Sequence, residues 1–273
     1  MDIEKFVYEL AVRANTILRR DVLNLINKAY LEERKIQPKK ILKVILDNAL
    51  CAYKNRIALC QDTGLPLVFL ECGKDVKVDY ILIKRVSKAL EKAYRREGFR
   101  ASTVTPFNFY KPKFNPNIFH IQFTNRYGLR ITIFPKGFGS ENKSALKMFN
   151  PTVSREEISE FIVDAVRKAG PSACPPFFIG VGIGGTADYA LLLAKKALLE
   201  RVDKYGRDKD ITRWEKDLLK RINSLGIGPM GLGGNFTALC VKIKLYPAHI
   251  AGLPVGVNIS CHSLRSATAT IRV

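Results

Sequence analysis

The chain has 273 residues, 47% hydrophobic and 26% charged, enough to bury a sizeable core. No apolar run reaches the ~20 residues that a membrane-spanning helix needs, and residues 177–194, the nearest candidate, are broken by Gly184-Gly185 and Asp188. The 45 basic and 25 acidic residues give a net charge of +20, but the basic ones are spread over most helices. No zinc-finger, RNP-type or basic-zipper pattern accompanies them, so nucleic acid is not expected as the main partner. A positive field would instead speed the encounter with a small dianion.

The N-terminus, Met1-Asp2-Ile3-Glu4-Lys5, lacks the basic-then-apolar pattern of a signal peptide, so a cytoplasmic protein is expected. Six cysteines, at 51, 60, 72, 174, 240 and 261, are too scattered for a disulfide scaffold and contain no Cys-x-x-Cys.

In chain order, Phe6, Val7, Leu10, Ile17, Leu18, Val22 and Leu23 recur at helical spacing, predicting a helix over 3–35. Pro38 restarts a helix to about Asn55, and the two form an N-terminal helical layer. Leu67–Leu70 reads as a buried strand and Asp79–Glu97 as an amphipathic helix. Residues 101–118, rich in Thr, Pro, Asn and aromatics, read as a long loop. Residues 119–123 and 129–134 flank Asn125-Arg126-Tyr127-Gly128 as a hairpin would.

A helix over 155–169, a strand over 178–183, a glycine turn and a helix over 187–201 follow. Trp214 belongs to a helix that runs to Asn223 and is ended by Gly226. Leu239, Val241, Ile243 and Leu245 alternate with Lys242 and Lys244, a strand with one face toward solvent or a partner. A last strand from Leu253 to Ile259 leads to Cys261. With no repeat or linker, this predicts a mixed α/β fold: one compact domain over 1–273, a mixed sheet flanked by helices behind the helical layer.

Cysteines 51, 72 and 240 sit in periodic apolar patterns and read as small buried hydrophobes. Cys60 in Cys-Gln-Asp-Thr-Gly, Cys174 in Ser-Ala-Cys-Pro-Pro and Cys261 in Asn-Ile-Ser-Cys-His stand instead where turns meet strands or helices. Three thiolates without a fourth would leave a soft metal centre one open position. The turn 182–186 fits a dinucleotide fingerprint poorly, since Gly182-x-Gly184-Gly185 has the wrong spacing, and tight packing is its expected role.

The five-residue turn 60–64, the run 135–143 (Pro-Lys-Gly-Phe-Gly-Ser-Glu-Asn-Lys), Cys174-Pro175-Pro176, residues 181–186, residues 226–234 and Leu253-Pro254-Val255 before Cys261 occur in this order. In this the chain resembles the N-terminal catalytic half, or the separate alpha subunit, of the class I iron–sulfur fumarate hydratase and L(+)-tartrate dehydratase family. The resemblance implies a 4Fe–4S cluster held by Cys60, Cys174 and Cys261, with the fourth iron acting as Lewis acid in hydrating fumarate to L-malate. It further implies substrate contacts from Gln61, Asp62, Arg100 and Gly139, and proton handling by His249 with Asp62. An Asx-turn is the plain alternative for Asp62, a surface amide for Gln61, a solvated side chain for Arg100 and a buried core residue for His249. His262 is expected behind the cysteines and His120 in a strand.

The loop after Arg100 and Phe138 within the glycine run depart from the family pattern. Because the chain ends at Val273, soon after the Cys261 loop, a separate beta subunit in an α2β2 assembly is expected to complete the site around a small dicarboxylate. L(+)-tartrate dehydratase is the alternative within the same chemistry. A non-catalytic basic scaffold and a mononuclear metal hydrolase are the alternatives outside it.

Overall fold

The computed structural model describes residues 2–272, and for Asn108 and Phe109 the backbone only. In chain order the elements are α1 (Ile3–Thr16), α2 (Arg20–Glu32), α3 (Ile36–Asn55), β1 (Leu65–Cys72), α4 (Tyr80–Arg96), β2 (Thr103–Thr105) and β3 (Asn108–Lys113). They continue as β4 (Ile118–Phe123), β5 (Leu129–Lys136), α5 (Phe138–Glu141), β6 (Ala145–Phe149), α6 (Arg155–Ala169), β7 (Phe177–Gly185) and α7 (Ala187–Leu199). The remaining elements are α8 (Lys209–Asn223), β8 (Ala238–Ala248), β9 (Leu253–Ser260) and β10 (Ala267–Ile271), with short 3-10 turns at Pro171–Ala173 and Pro229–Gly231. The mixed α/β class expected from the sequence is the observed one.

Close contacts group the chain into two compact units: one takes in the residues up to Arg19, Asn48–Phe138 and the stretch from Arg265, the other Arg20–Asp47 and Gly139–Leu264. The first unit is built on a four-stranded sheet in the order β10-β5-β1-β4, parallel only between β1 and β4. Val7, Leu10 and Ala11 of α1 and Val86, Leu90 and Ala93 of α4 pack with Val68, Leu70, Ile131 and Ile133 of the sheet. Asp79 starts α4 as predicted, its carboxylate accepting from the Leu82 N–H at 2.9 Å.

Four expectations for this unit are corrected. The long N-terminal helix breaks after Thr16, whose hydroxyl bonds back to the Val12 carbonyl while Ile17 turns extended (φ −121°, ψ 116°). The break falls where the chain leaves the first unit for the second. Residues 101–118 hold the short β2–β3 pairing rather than an irregular loop. β4 and β5 do not form a hairpin, because β1 lies between them, with Val68 opposite Phe119 on one side and Ile133 on the other. Finally, the strand before Cys261 is not the last, since β10 returns to pair with β5.

The second unit carries a sheet in the order β6-β9-β7-β8, with β7 and β8 parallel. The pleat of β7 sorts its residues by size. Phe177, Ile179 and Val181 join Ile162 and Val166 of α6 and Leu218 and Ile222 of α8 in one core. Gly180 and Gly182 face α7, where an added Cβ would lie 2.0 Å from the Ala194 carbonyl oxygen and 2.1 Å from that of Ala190. Gly182, the first residue of the turn 182–186, thus packs tightly, as expected of that turn.

On β8 the lysine face is not all solvated. Lys242 is buried, its ammonium donating to the Lys204 carbonyl, standing 4.9 Å from the Tyr205 ring centre and 3.9 Å from the buried Glu215 carboxylate. Cys72 and Cys240 are buried as expected, but Cys51 is exposed on α3. Among the described residues no helix is long and apolar enough to cross a membrane.

Candidate active site

The Cys60 turn belongs to the first unit and is fixed from both sides of the chain. Just before it, the Leu59 N–H donates to the Asn15 carbonyl at 2.9 Å, and the Asn48 amide donates to the Leu59 carbonyl at 2.9 Å. Within it, the Asp62 carboxylate accepts from the Gly64 N–H at 2.9 Å through Oδ1 and from the Phe138 N–H at 2.8 Å through Oδ2. The first of these is an Asx-turn, so the plain structural reading of Asp62 is realised. Gly64 adopts φ +73° with its Cα facing the Lys136 backbone, which an added Cβ would meet at 2.8 Å, so only glycine fits there.

Thr63 ties the turn to the end of α4. Its carbonyl accepts from the Tyr94 hydroxyl at 2.9 Å and its Oγ1 from the Arg100 N–H at 2.9 Å. This second bond brings Arg100 to the turn through its backbone and leaves the residue exposed. Burial pushes the Tyr94 hydroxyl pKa up to about 12, against a smaller lowering by the Asn15 amide at 3.2 Å. The buried Arg265 guanidinium donates to the Asp62 carbonyl. Cys60 is half-buried and Gln61 exposed, so the turn carries a thiol, an amide and a carboxylate on three consecutive residues, with the Arg265 guanidinium bonded to its backbone.

Cys174 and Cys261 belong to the second unit, where their loops meet. Cys174 follows the 3-10 turn at Pro171–Ala173 in a left-handed conformation (φ 56°, ψ 66°), its N–H donating to the Pro171 carbonyl at 3.1 Å. Its own carbonyl accepts from the His262 N–H at 3.2 Å, and the Pro175 carbonyl accepts from the Met230 N–H at 2.9 Å. Cys261 leaves β9 half-buried, with its Sγ 3.2 Å from the Ser263 hydroxyl. The expected place of His262 behind the cysteines is therefore taken by its backbone, and His120 lies in β4, 4.8 Å from the Phe69 ring.

Gly139 opens the second unit's share of α5, and nothing lies within 4 Å of an added Cβ. His249 is not buried; it sits exposed in the turn after β8. Its Nδ1 accepts from the Ala251 N–H at 3.2 Å, which leaves the proton of the neutral ring on Nε2.

The donor set suits a soft metal centre. None of the six cysteines is in a disulfide, and the three at loop ends are half-buried while the strand cysteines are buried. Among the described residues no three His, Cys, Asp or Glu side chains are placed to share a single metal ion. A cluster does not require such convergence, because each thiolate binds a different iron. Sequence reasoning missed Tyr94 and Arg265. Tyr94 reads as one more core position of an amphipathic helix, and no local pattern marks Arg265.

A sequence profile described as Fumarate hydratase (Fumerase) matches residues 4–270. The chain is 42% identical to the putative L(+)-tartrate dehydratase subunit alpha of Methanocaldococcus jannaschii, over 100% of this chain and 99% of that one. It is 30% identical to the putative fumarate hydratase class I of Geobacillus stearothermophilus, covering 95% of this chain but 53% of that protein. The L(+)-tartrate dehydratase subunit alpha of Escherichia coli K12 is 24% identical over 98% of this chain and 90% of its own length. The chain belongs to the fumarate hydratase (Fumerase) family.

Proposed function

We propose that this chain is the alpha subunit of a two-subunit iron–sulfur hydro-lyase that interconverts fumarate and L-malate, with residues 1–273 forming its single catalytic domain. The observation that carries the reading is the joining of the Cys174 and Cys261 loops by the His262–Cys174 bond, in a chain matched to this family from residue 4 to 270. Cys60, Cys174 and Cys261 are the proposed ligands of a 4Fe–4S cluster. When bound, such a cluster with one iron free of protein ligands supplies a Lewis acid toward a substrate hydroxyl.

The roles of the chain's own residues follow from their chemistry. The planar Arg100 guanidinium suits one carboxylate of a dicarboxylate. The Gly139 backbone, with open space where a side chain would stand, is offered to another. Gln61 contributes an amide at the turn, and Asp62 with His249 handles the proton. The alpha-subunit names of two relatives support a separate beta subunit, with α2β2 as the proposed assembly.

A second reading is L(+)-tartrate dehydratase, favoured by the name of the relative that matches over its whole length. Malate and tartrate differ by one hydroxyl. Turnover of both, side by side and without oxygen, by the chain combined with its partner subunit decides between them. The cluster itself is tested by iron and acid-labile sulfide after anaerobic reconstitution. About four of each per chain, lost in Cys261→Ser, are expected. No iron and no sulfide would remove the hydro-lyase reading and leave the basic scaffold.

A further inference from the structure

The loop that supports Cys174 is itself anchored to a residue with no assigned part in the chemistry. Pro175 receives the Met230 N–H at 2.9 Å, and Gly231 packs so closely on Pro171 that an added Cβ would lie 2.3 Å from its Cβ. The segment 228–237 thus forms one wall of the Cys174 loop. Its own path is tight: Gly228 and Gly233 touch across it, and the Gly228 N–H donates to Thr237 Oγ1 at 3.2 Å. Met230 is held left-handed (φ 52°, ψ 22°) without being glycine, as Cys174 is.

At the far end of this wall stands Glu33, the residue after α2, only 1% exposed. Its Oε2 accepts from the Asn235 N–H at 2.7 Å and its Oε1 from the Asn235 side-chain amide at 3.2 Å. Oε1 also accepts from the N–H groups of Arg34 and Lys35, both at 3.0 Å, ahead of α3. Gly234 has no side chain because an added Cβ would lie 2.6 Å from Glu33 Oε2 and 2.8 Å from Pro38. Four N–H donors on one carboxylate fill its acceptor positions.

We propose that Glu33 is a positioning residue for Cys174, holding the 228–237 wall against the α2–α3 corner so that the left-handed cysteine keeps its place. The inference rests on the reading of Cys174 as a cluster ligand, yet the coupling of Glu33 to Cys174 is a property of this chain with or without metal.

The experiment is thiol alkylation of the full-length, cluster-free protein, read cysteine by cysteine by mass spectrometry, in wild type, Glu33→Gln and Asn235→Ala. Glu33→Gln keeps the shape but turns an acceptor toward N–H groups as a donor. The expected result is a several-fold faster Cys174, with Cys60 unchanged and buried Cys72 and Cys240 still protected. Asn235→Ala, at an exposed residue, gives the same pattern more weakly and serves alone if Glu33→Gln does not fold. After reconstitution, the Glu33 variant is expected to hold iron about 10–100-fold less tightly against a chelator. Cys174 reacting at the wild-type rate, or Cys240 accelerating in step with it, would overturn the proposal. If wild type takes up no iron or sulfide, the cluster reading fails while the alkylation pattern still decides the role of Glu33.

Discussion

The His262 N–H meets the Cys174 carbonyl at 3.2 Å, so the residue after one proposed ligand fixes the backbone of another. The left-handed conformation of Cys174 costs about 1–2 kcal/mol for a residue with a Cβ. Cys174→Gly is therefore expected to be more stable than Cys174→Ala in the cluster-free protein, by about 1 kcal/mol. For a chain of this size that is a difference of about 2–4 °C in Tm. Equal melting temperatures would show that the loop relaxes out of this conformation once the thiol is gone.

The packing of α7 against β7 makes a sharper prediction. Gly180→Ala would place a Cβ 2.0 Å from the Ala194 carbonyl oxygen and 2.9 Å from Leu198, with backbone rather than a yielding side-chain tip in the way. The expected loss is about 3 kcal/mol or more. Gly206→Ala meets nothing within 4 Å and should change stability by less than about 0.5 kcal/mol. Urea denaturation of the two variants beside wild type measures the contrast, and a mild Gly180→Ala would mean that α7 can shift outward.

The local elements were largely legible because each carries its own signal: Asp79 caps α4, Gly226 follows α8, and the glycines of β7 announce a close neighbour. Pairing over long distances was not. β4 and β5 look like a hairpin because the turn between them has the right residues, yet β1 satisfies both sets of backbone groups from 50 or so residues upstream. Lys242 reads by alternation as facing solvent or a partner, and the Lys204 carbonyl, the Tyr205 ring and Glu215, unknowable from period-two patterning, account for its burial. The three loop-end cysteines stood out from the strand cysteines, but Cys51 on an exposed helix face shows how weak the buried-thiol assumption is for a single residue.

Asp62 combines a structural and a proposed chemical role, and the two separate on substitution. Asp62→Asn keeps the Gly64 contact through Oδ1 but sets an amide against the Phe138 N–H, which should cost about 1–2 kcal/mol of stability. Asp62→Ala loses both contacts and should cost more. If Asp62 also handles a proton, the assembled enzyme should lose about 10²–10⁴ in kcat with Asn, although the protein remains folded under assay conditions. Full turnover in Asp62→Asn would leave the carboxylate with its Asx-turn alone.

Tyr94 offers a test through pH. An unfolded tyrosine loses its proton near 10, whereas burial holds the Tyr94 proton to about 12. Between these values the unfolded chain binds fewer protons than the folded one, so stability falls as pH rises. The contribution is complete below about pH 10, is lost by about pH 12, and amounts to about 3 kcal/mol. Tyr94→Phe should abolish this part of the alkaline decline. It should also cost about 1–2 kcal/mol at neutral pH, because the Thr63 carbonyl loses its donor. Denaturation midpoints of wild type and Tyr94→Phe from pH 8 to 12 are compared as a difference, which cancels the other tyrosines and lysines. Parallel curves would mean that the hydroxyl is hydrated in solution and does not hold the Cys60 turn.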